Sequence, residues 1–252
     1  MRGKKGIEQR TINAIRRLRA AAFPIAISTS TDKLNIGRLV DTYELMKRLD
    51  IQCWIVASPQ ELGNWEGAAT ALSLHEEAEA YAPVLKQWIV DGKPFDIQLG
   101  AFFRGLRSKP GAYSRDGSGK PTAEAQHTPD NMRERYDCDA CREQPNLLPD
   151  GTLIPCPGYV DSPLHNRMPN LLREELASVW TQSLLRQVVE IKKKDLLACN
   201  PQCVDCKLFK ECGMGCRASA LRQTGNLMTR DPIFCDLWKG GHIRRFQQLA
   251  VL

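Results

Sequence analysis

Residues 203–216 read C-VD-C-KLFKE-C-GMG-C, placing Cys203, Cys206, Cys212 and Cys216 in a C-x2-C-x5-C-x3-C run. Cys235 follows, and Cys138, Cys141 and Cys156 lie upstream. Cysteine thiolate is the soft, anionic ligand that iron–sulfur clusters require. Gly213 and Gly215 let the backbone fold tightly around the thiols, and N–H groups near them are placed to hydrogen-bond the sulfurs. Two other readings use the same residues. Structural zinc also takes four cysteines, and a free cysteine is often a small buried hydrophobe.

The elements ahead of the cysteines must position them. Residues 7–21 predict an amphipathic helix with Ile12, Ile15 and Leu18 on one face. FPIAIS (23–28) predicts a short buried strand, ended by the polar cluster from Ser28 to Asp32. A second helix carries Ile36, Leu39, Val40, Tyr43 and Met46, with Asn35 as its cap. IQCWIVA (51–57) is apolar almost throughout, as expected of a parallel strand covered on both faces, with Cys53 a core residue. Ser73 to Glu76 form a capping box that opens a third helix running to about Val90. PFDIQLGAFF (94–103) predicts a third strand. This alternation implies an α/β fold with a parallel sheet, whose ligands bind beyond the carboxyl ends of the strands.

Residues 105–135 are rich in Gly, Pro, Ser and charge, the composition of a linker. They separate a domain over 1–104 from a cysteine-bearing domain over 136–252. In the second domain, PDGTLIPCPGY (149–159) predicts a β-hairpin turning at Asp150-Gly151. Residues 171–194 predict an amphipathic helix around Leu172, Leu176, Val179 and Leu184, and a short helix follows residue 240. Trp54, Trp88 and Trp180 read as core, and His165 as a solvated loop residue.

The chain has 252 residues, ten of them cysteine, and a formal charge of +6. Two four-iron clusters, each about −2 with its thiolates, would offset about four of those units. No basic stretch is interleaved with aromatics, so no nucleic-acid partner is expected. No apolar run reaches the length of a membrane span. The basic N-terminus lacks the apolar core of a secretory signal. Cysteines in that context imply a reducing, cytoplasmic setting in which they hold metal.

The spacing Cys141-x9-Gly151-x4-Cys156, then Cys203-x2-Cys206-x5-Cys212-x3-Cys216, then Cys235 resembles the SPASM extension of radical S-adenosylmethionine (SAM) enzymes. The first hundred residues resemble the second half of the radical-SAM β/α barrel. The resemblance implies a half barrel followed by a small cysteine-rich domain with a hairpin and helices. It implies two auxiliary clusters, often 4Fe–4S. The first would take Cys141, Cys156 and Cys216, with Cys138 as the fourth ligand. The second would take Cys203, Cys206, Cys212 and Cys235. It also puts Ser28, Ser30, Ser58 and Gln60 where such barrels contact SAM or substrate.

The family's core motif, C-x3-C-x2-C after the first barrel strand, does not occur before residue 199. Cys199-x3-Cys203-x2-Cys206 has that spacing, but it follows the strands, and Asp205 stands where the family carries an aromatic residue. No catalytic residue is therefore assigned, and Cys199 is read as spare or as an alternative ligand. The expectation is a maturase-type radical SAM oxidoreductase that is truncated or split and does not cleave SAM alone. SAM would bind only with the missing half supplied. The implied partners are a peptide or protein substrate, a chain carrying the other half-barrel, and a reductant such as ferredoxin or flavodoxin. Two alternatives stand beside it: a non-catalytic iron–sulfur module for electron transfer or substrate binding, and a zinc-stabilised scaffold.

Overall fold

The structure, a computed structural model, describes residues 5–59, 67, 69–105, 133–138, 142 and 144–250. The chain divides into two compact units. The first begins with α1 (Ile7–Ala20) and alternates β1 (Ala26–Ser30), α2 (Leu39–Arg48), β2 (Cys53–Ala57), α3 (Leu74–Val90), β3 (Asp96–Leu99) and β4 (Phe103–Gly105). The sheet order is β1-β2-β3-β4, with the first two pairings parallel and the last antiparallel. The predicted strand over 94–103 is thus two strands. Gly100, at φ +52°, turns the chain between them.

One sheet face is buried under helices. Trp54 and Val56 of β2 and Ile97 and Leu99 of β3 lie at 1% exposure or less. Trp54, Tyr43 of α2 and Phe95 form an aromatic cluster with centroids 5.5–6.4 Å apart. On the other face, Ala26, Ser28 and Ser30 are exposed, and Cys53, Ile55 and Ala57 are half-buried. The expectation that β2 is covered on both faces is therefore corrected, and Cys53 is not a core residue. The apolar run in β2 reflects β-propensity as well as burial.

The helix starts follow local chemistry. Ser73 accepts a hydrogen bond from the Glu76 N–H while the Glu76 carboxylate accepts from the Ser73 N–H, so the capping box is complete at the predicted residue. Asn35 does not cap α2. Asp32 accepts from the Leu34 and Asn35 N–H groups, and a 3-10 turn (Ile36–Arg38) precedes the α-helix. Of the predicted face of α1, Ile15 is buried and Leu18 is exposed.

The second unit contains the hairpin of β5 (Asn146–Leu147) and β6 (Leu153–Ile154), which are antiparallel. Gly151 makes the turn at φ +85°. The predicted single helix over 171–194 is instead α4 (Leu176–Gln182) and α5 (Leu184–Val189), followed by α6 (Lys193–Cys199). Ser183 ends one helix and caps the next. The buried residues are Val179, Leu185, Val188 and Val189, while Leu172 and Leu176 are exposed. Then come α7 (Phe209–Cys212), α8 (Arg217–Thr224) and α9 (Pro232–Lys239).

The last helix, α10 (His242–Ala250), belongs to the first unit. It packs on α3, with Phe246 against Phe102 and Phe103, and Arg245 ion-pairs with Glu79. The domain boundary drawn at residue 252 is corrected accordingly. Among the described residues, no helix is long and apolar enough to cross a membrane.

Candidate metal centre

Cys203, Cys206, Cys212 and Cys235 line one cavity in the second unit. Separate devices place three of them. Cys203 ends a 3-10 turn that Pro201 opens. Just before it, buried Asn200 donates to the carbonyls of Leu196 and Met228 and accepts from the Arg230 N–H, tying the turn to the segment before α9. Cys212 closes α7, and the next three residues are all left-handed: Gly213 at φ +53°, Met214 at +69° and Gly215 at +77°. Cys235 sits on α9, whose first turn is capped by Asp231 and carries Pro232 at its start.

The cavity wall is otherwise apolar, with Leu208, Phe209, Met214 and Trp238, and two cations at Arg230 and Lys239. Burial pushes the Cys203 thiol up, and Arg230 pulls it back. Cys206 and Cys235 raise it further through their own charge. The Cys212 thiol is raised mainly by burial and is pulled down by the Met214 N–H, which hydrogen-bonds it. Its remaining electrostatic neighbours are Cys235, Cys203 and Cys206. These four thiols thus feel one another.

Cys216 belongs to a different neighbourhood. It is the N-cap residue of α8, where the backbone N–H groups of Ser219 and Ala218 pull its thiol down. Burial is the largest influence raising its thiol, and the nearest thiol acting on it is Cys156. Cys156 and Cys216 both pack against the core of Leu153, Ile154, Tyr159, Val179 and Leu221. Cys203 packs against the smaller core of Leu196, Leu197 and Met214.

Cys138 is exposed. Its neighbour Asp137 is anchored firmly, with a side chain only 3% exposed that accepts from Lys193 at 2.5 Å and Arg217 at 3.1 Å. Arg217 also donates to the carbonyls of Met214, Leu227 and Thr229, so one buried guanidinium holds three chain segments around the left-handed loop. Cys141 and Gln60 lie outside the described residues. Cys199 is exposed and does not line the cavity.

Among the described residues, no three His, Cys, Asp or Glu side chains converge closely enough to hold a single metal ion, although four cysteines surround one cavity. Four soft thiolate donors, an apolar wall and two cations fit an iron–sulfur cluster, whose thiolate-ligated core carries net negative charge.

Residues 138–207 match the SPASM family, described as an iron-sulfur cluster-binding domain. The cysteine-bearing segment is of the SPASM type. Cys212, Cys216 and Cys235 follow the matched stretch of this SPASM segment. No curated protein matches the chain. Three solved structures of radical SAM enzymes share its fold. Streptococcus suis SuiB bound to S-adenosylmethionine has a TM-score of 0.60 and 15% identity, over 89% of this chain and 48% of that one. The same protein bound to precursor peptide SuiA gives 0.57 and 14%, over 89% and 48%. Native anSMEcpe with bound AdoMet and Cp18Cys peptide gives 0.54 and 14%, over 95% and 59%. The chain therefore spans about half the length of these structures. The fold is α/β, a partial radical-SAM barrel with a SPASM-like domain.

The residues named at the carboxyl ends of the strands part company. Ser28 and Ser30 lie on the exposed sheet face. Ser58 turns inward, 3.3 Å from the Thr31 hydroxyl and 3.4 Å from the Tyr81 hydroxyl. Thr31 is 1% exposed and Tyr81 is fully buried. Glu77, also buried, hydrogen-bonds Ser58, and its carboxyl is pushed above the usual range by burial. Glu77 and Tyr81 were missed in the sequence. Their signal is a carboxylate on the apolar stripe of α3, one turn before a tyrosine on the same stripe.

Proposed function

We propose that this chain is the auxiliary-cluster portion of a radical SAM/SPASM-type peptide maturase and holds two iron–sulfur clusters of the 4Fe–4S kind. The observation that carries the reading is the division of the thiols. Cys203, Cys206, Cys212 and Cys235 surround one cavity, while Cys156 and Cys216 share a separate core. The first set would hold one cluster. The second set, with Cys138 and Cys141, would hold the other.

Such clusters supply one-electron transfer and, where an iron is left open, a site for a substrate donor. The protein's own residues do the rest. The Met214 N–H and those of Ala218 and Ser219 stabilise thiolate charge at Cys212 and Cys216. Arg230 and Lys239 offset the charge of the first set. Leu208, Phe209 and Met214 keep water from the sulfurs.

A peptide is the favoured substrate class, because a protein of the same fold is bound to a precursor peptide. Ser28 and Ser30, on the exposed sheet face, would meet SAM or substrate once a second half-barrel is present. By itself the chain would not cleave SAM. A chain carrying C-x3-C-x2-C, and a reductant such as flavodoxin, would complete the enzyme.

Anaerobic reconstitution with iron, sulfide and SAM tests this reading. The purified chain should take up iron and sulfide and show iron–sulfur EPR on reduction, yet form no 5′-deoxyadenosine. A colourless protein holding zinc, or product formed by this chain alone, would overturn it. Cys199 would then need to be reconsidered as a core ligand.

A further inference from the structure

Three side-chain polar atoms among the described residues are buried without a hydrogen-bond partner: Arg142 Nε, Ser162 Oγ and Trp238 Nε1. Of these residues only Trp238 lines the cavity of the four cysteines. Trp238 is half-buried overall with its Nε1 atom buried, whereas the fully buried Trp54 and Trp88 satisfy their indoles. Trp54 donates to Thr29 Oγ1 at 2.9 Å, and Trp88 to the Phe95 carbonyl at 2.7 Å. An indole N–H is a donor only, and burying one without an acceptor is unfavourable. Trp238 follows Cys235 by three residues on α9, so both side chains lie on one face of that helix. A buried donor on a side chain that lines the cavity of four thiols, with no acceptor among the described residues, points to an acceptor in the cavity itself.

We propose that Trp238 Nε1–H donates a hydrogen bond to a sulfur of the cluster held by Cys203, Cys206, Cys212 and Cys235, and that this bond raises its reduction potential. The inference rests on the cluster reading above. Reduction adds one electron, supplied in the test by dithionite. No covalent bond forms or breaks, and the indole keeps its proton. The added negative charge strengthens an N–H···S bond, so the donor stabilises the reduced form more than the oxidised form. Trp238 is thus a positioning and tuning residue rather than a catalytic one.

The test compares the reconstituted full chain with its Trp238→Phe variant, after iron and sulfide counting, by EPR-monitored redox titration. The expected result is equal iron in both and a lower potential for one cluster in the variant. A tenfold shift in its reduction equilibrium corresponds to about 59 mV for a one-electron couple. The second cluster should not move. Equal iron with both potentials unchanged would overturn the proposal.

If the variant fails to load, the native sequence still decides the matter. Protein grown with 15N-tryptophan should show, by ENDOR of the reduced cluster, coupling to an exchangeable proton on labelled nitrogen. Absence of that coupling overturns the proposal. A native chain that binds no iron overturns the cluster reading as well, which separates the two failures.

Discussion

The Asp231 carboxylate accepts the Cys216 backbone N–H at 3.0 Å while its other oxygen caps α9, the helix that carries Cys235. Asp231 is 1% exposed and also accepts from the Ser219 hydroxyl at 2.9 Å. One side chain therefore fixes the backbone of a thiol from each proposed set. Replacing it by Ala removes a cap and strands two buried donors, at about 1–3 kcal/mol. Asp231→Ala should lower the urea midpoint and reduce iron uptake at both sites, and Asp231→Asn should recover part of each. Full iron uptake by the Ala variant would show that the carboxylate does not organise the thiols.

Gly215 offers a sharper contrast. It sits at φ +77°, and a Cβ there would lie 2.5 Å from that of Asp231 and 2.6 Å from that of Phe234. Gly225, at φ +72°, has open space around it. Gly225→Ala should cost about 1 kcal/mol, from backbone strain alone. Gly215→Ala should cost at least 2 kcal/mol more, because backbone and carboxylate must both shift. Chemical denaturation of the two variants gives the difference, and equal losses would refute the packing account.

Glu77 makes a pH prediction. Burial raises its carboxyl above the ordinary 4.5, so the folded state holds a proton that the unfolded state releases. Its favourable contribution is complete below about 4.5 and is lost as pH rises through the raised value. Glu77→Gln, which stays neutral, should add about 1 kcal/mol at pH 7 and little at pH 4. Urea denaturation at both values measures it. A gain that is the same at both would exclude Glu77 as the titrating group.

Cluster assembly should depend on pH in the opposite sense. Burial raises the thiols of Cys203, Cys212 and Cys216, and each must lose its proton to bind iron. Reconstitution at pH 8.5 should therefore load more iron, and faster, than at pH 6.5. Equal loading at both values would mean that thiol protonation does not limit assembly.

What the sequence made legible was local. Ser73 and Glu76 announce the start of α3, and Asp150-Gly151 announces the hairpin, because caps and tight turns are written in adjacent residues. Ser183 was overlooked as a break because Leu172, Leu176, Val179 and Leu184 already satisfied a helical period. The pairing of α10 with α3 joins partners that no local pattern connects, whereas the turn at Gly100 between β3 and β4 is local but hidden inside an apolar run. The site divides in the same way. The cysteines were visible from their spacing. Asp231, Asn200 and Arg217, which hold the loops between them, are single polar residues that each reach partners remote in sequence, from 10 to 80 positions away.

Interleaved ligation would have Cys212 and Cys216 serve different clusters although only three residues separate them. Iron and sulfide counting with Mössbauer spectroscopy on the native chain, Cys235→Ala and Cys216→Ala tests it most directly. About eight irons are expected in the native chain. Each variant should lose up to about four, with the cluster lost from Cys235→Ala being the one that survives in Cys216→Ala. A native chain with four irons or fewer, or two variants that lose the same spectral component, would contradict it.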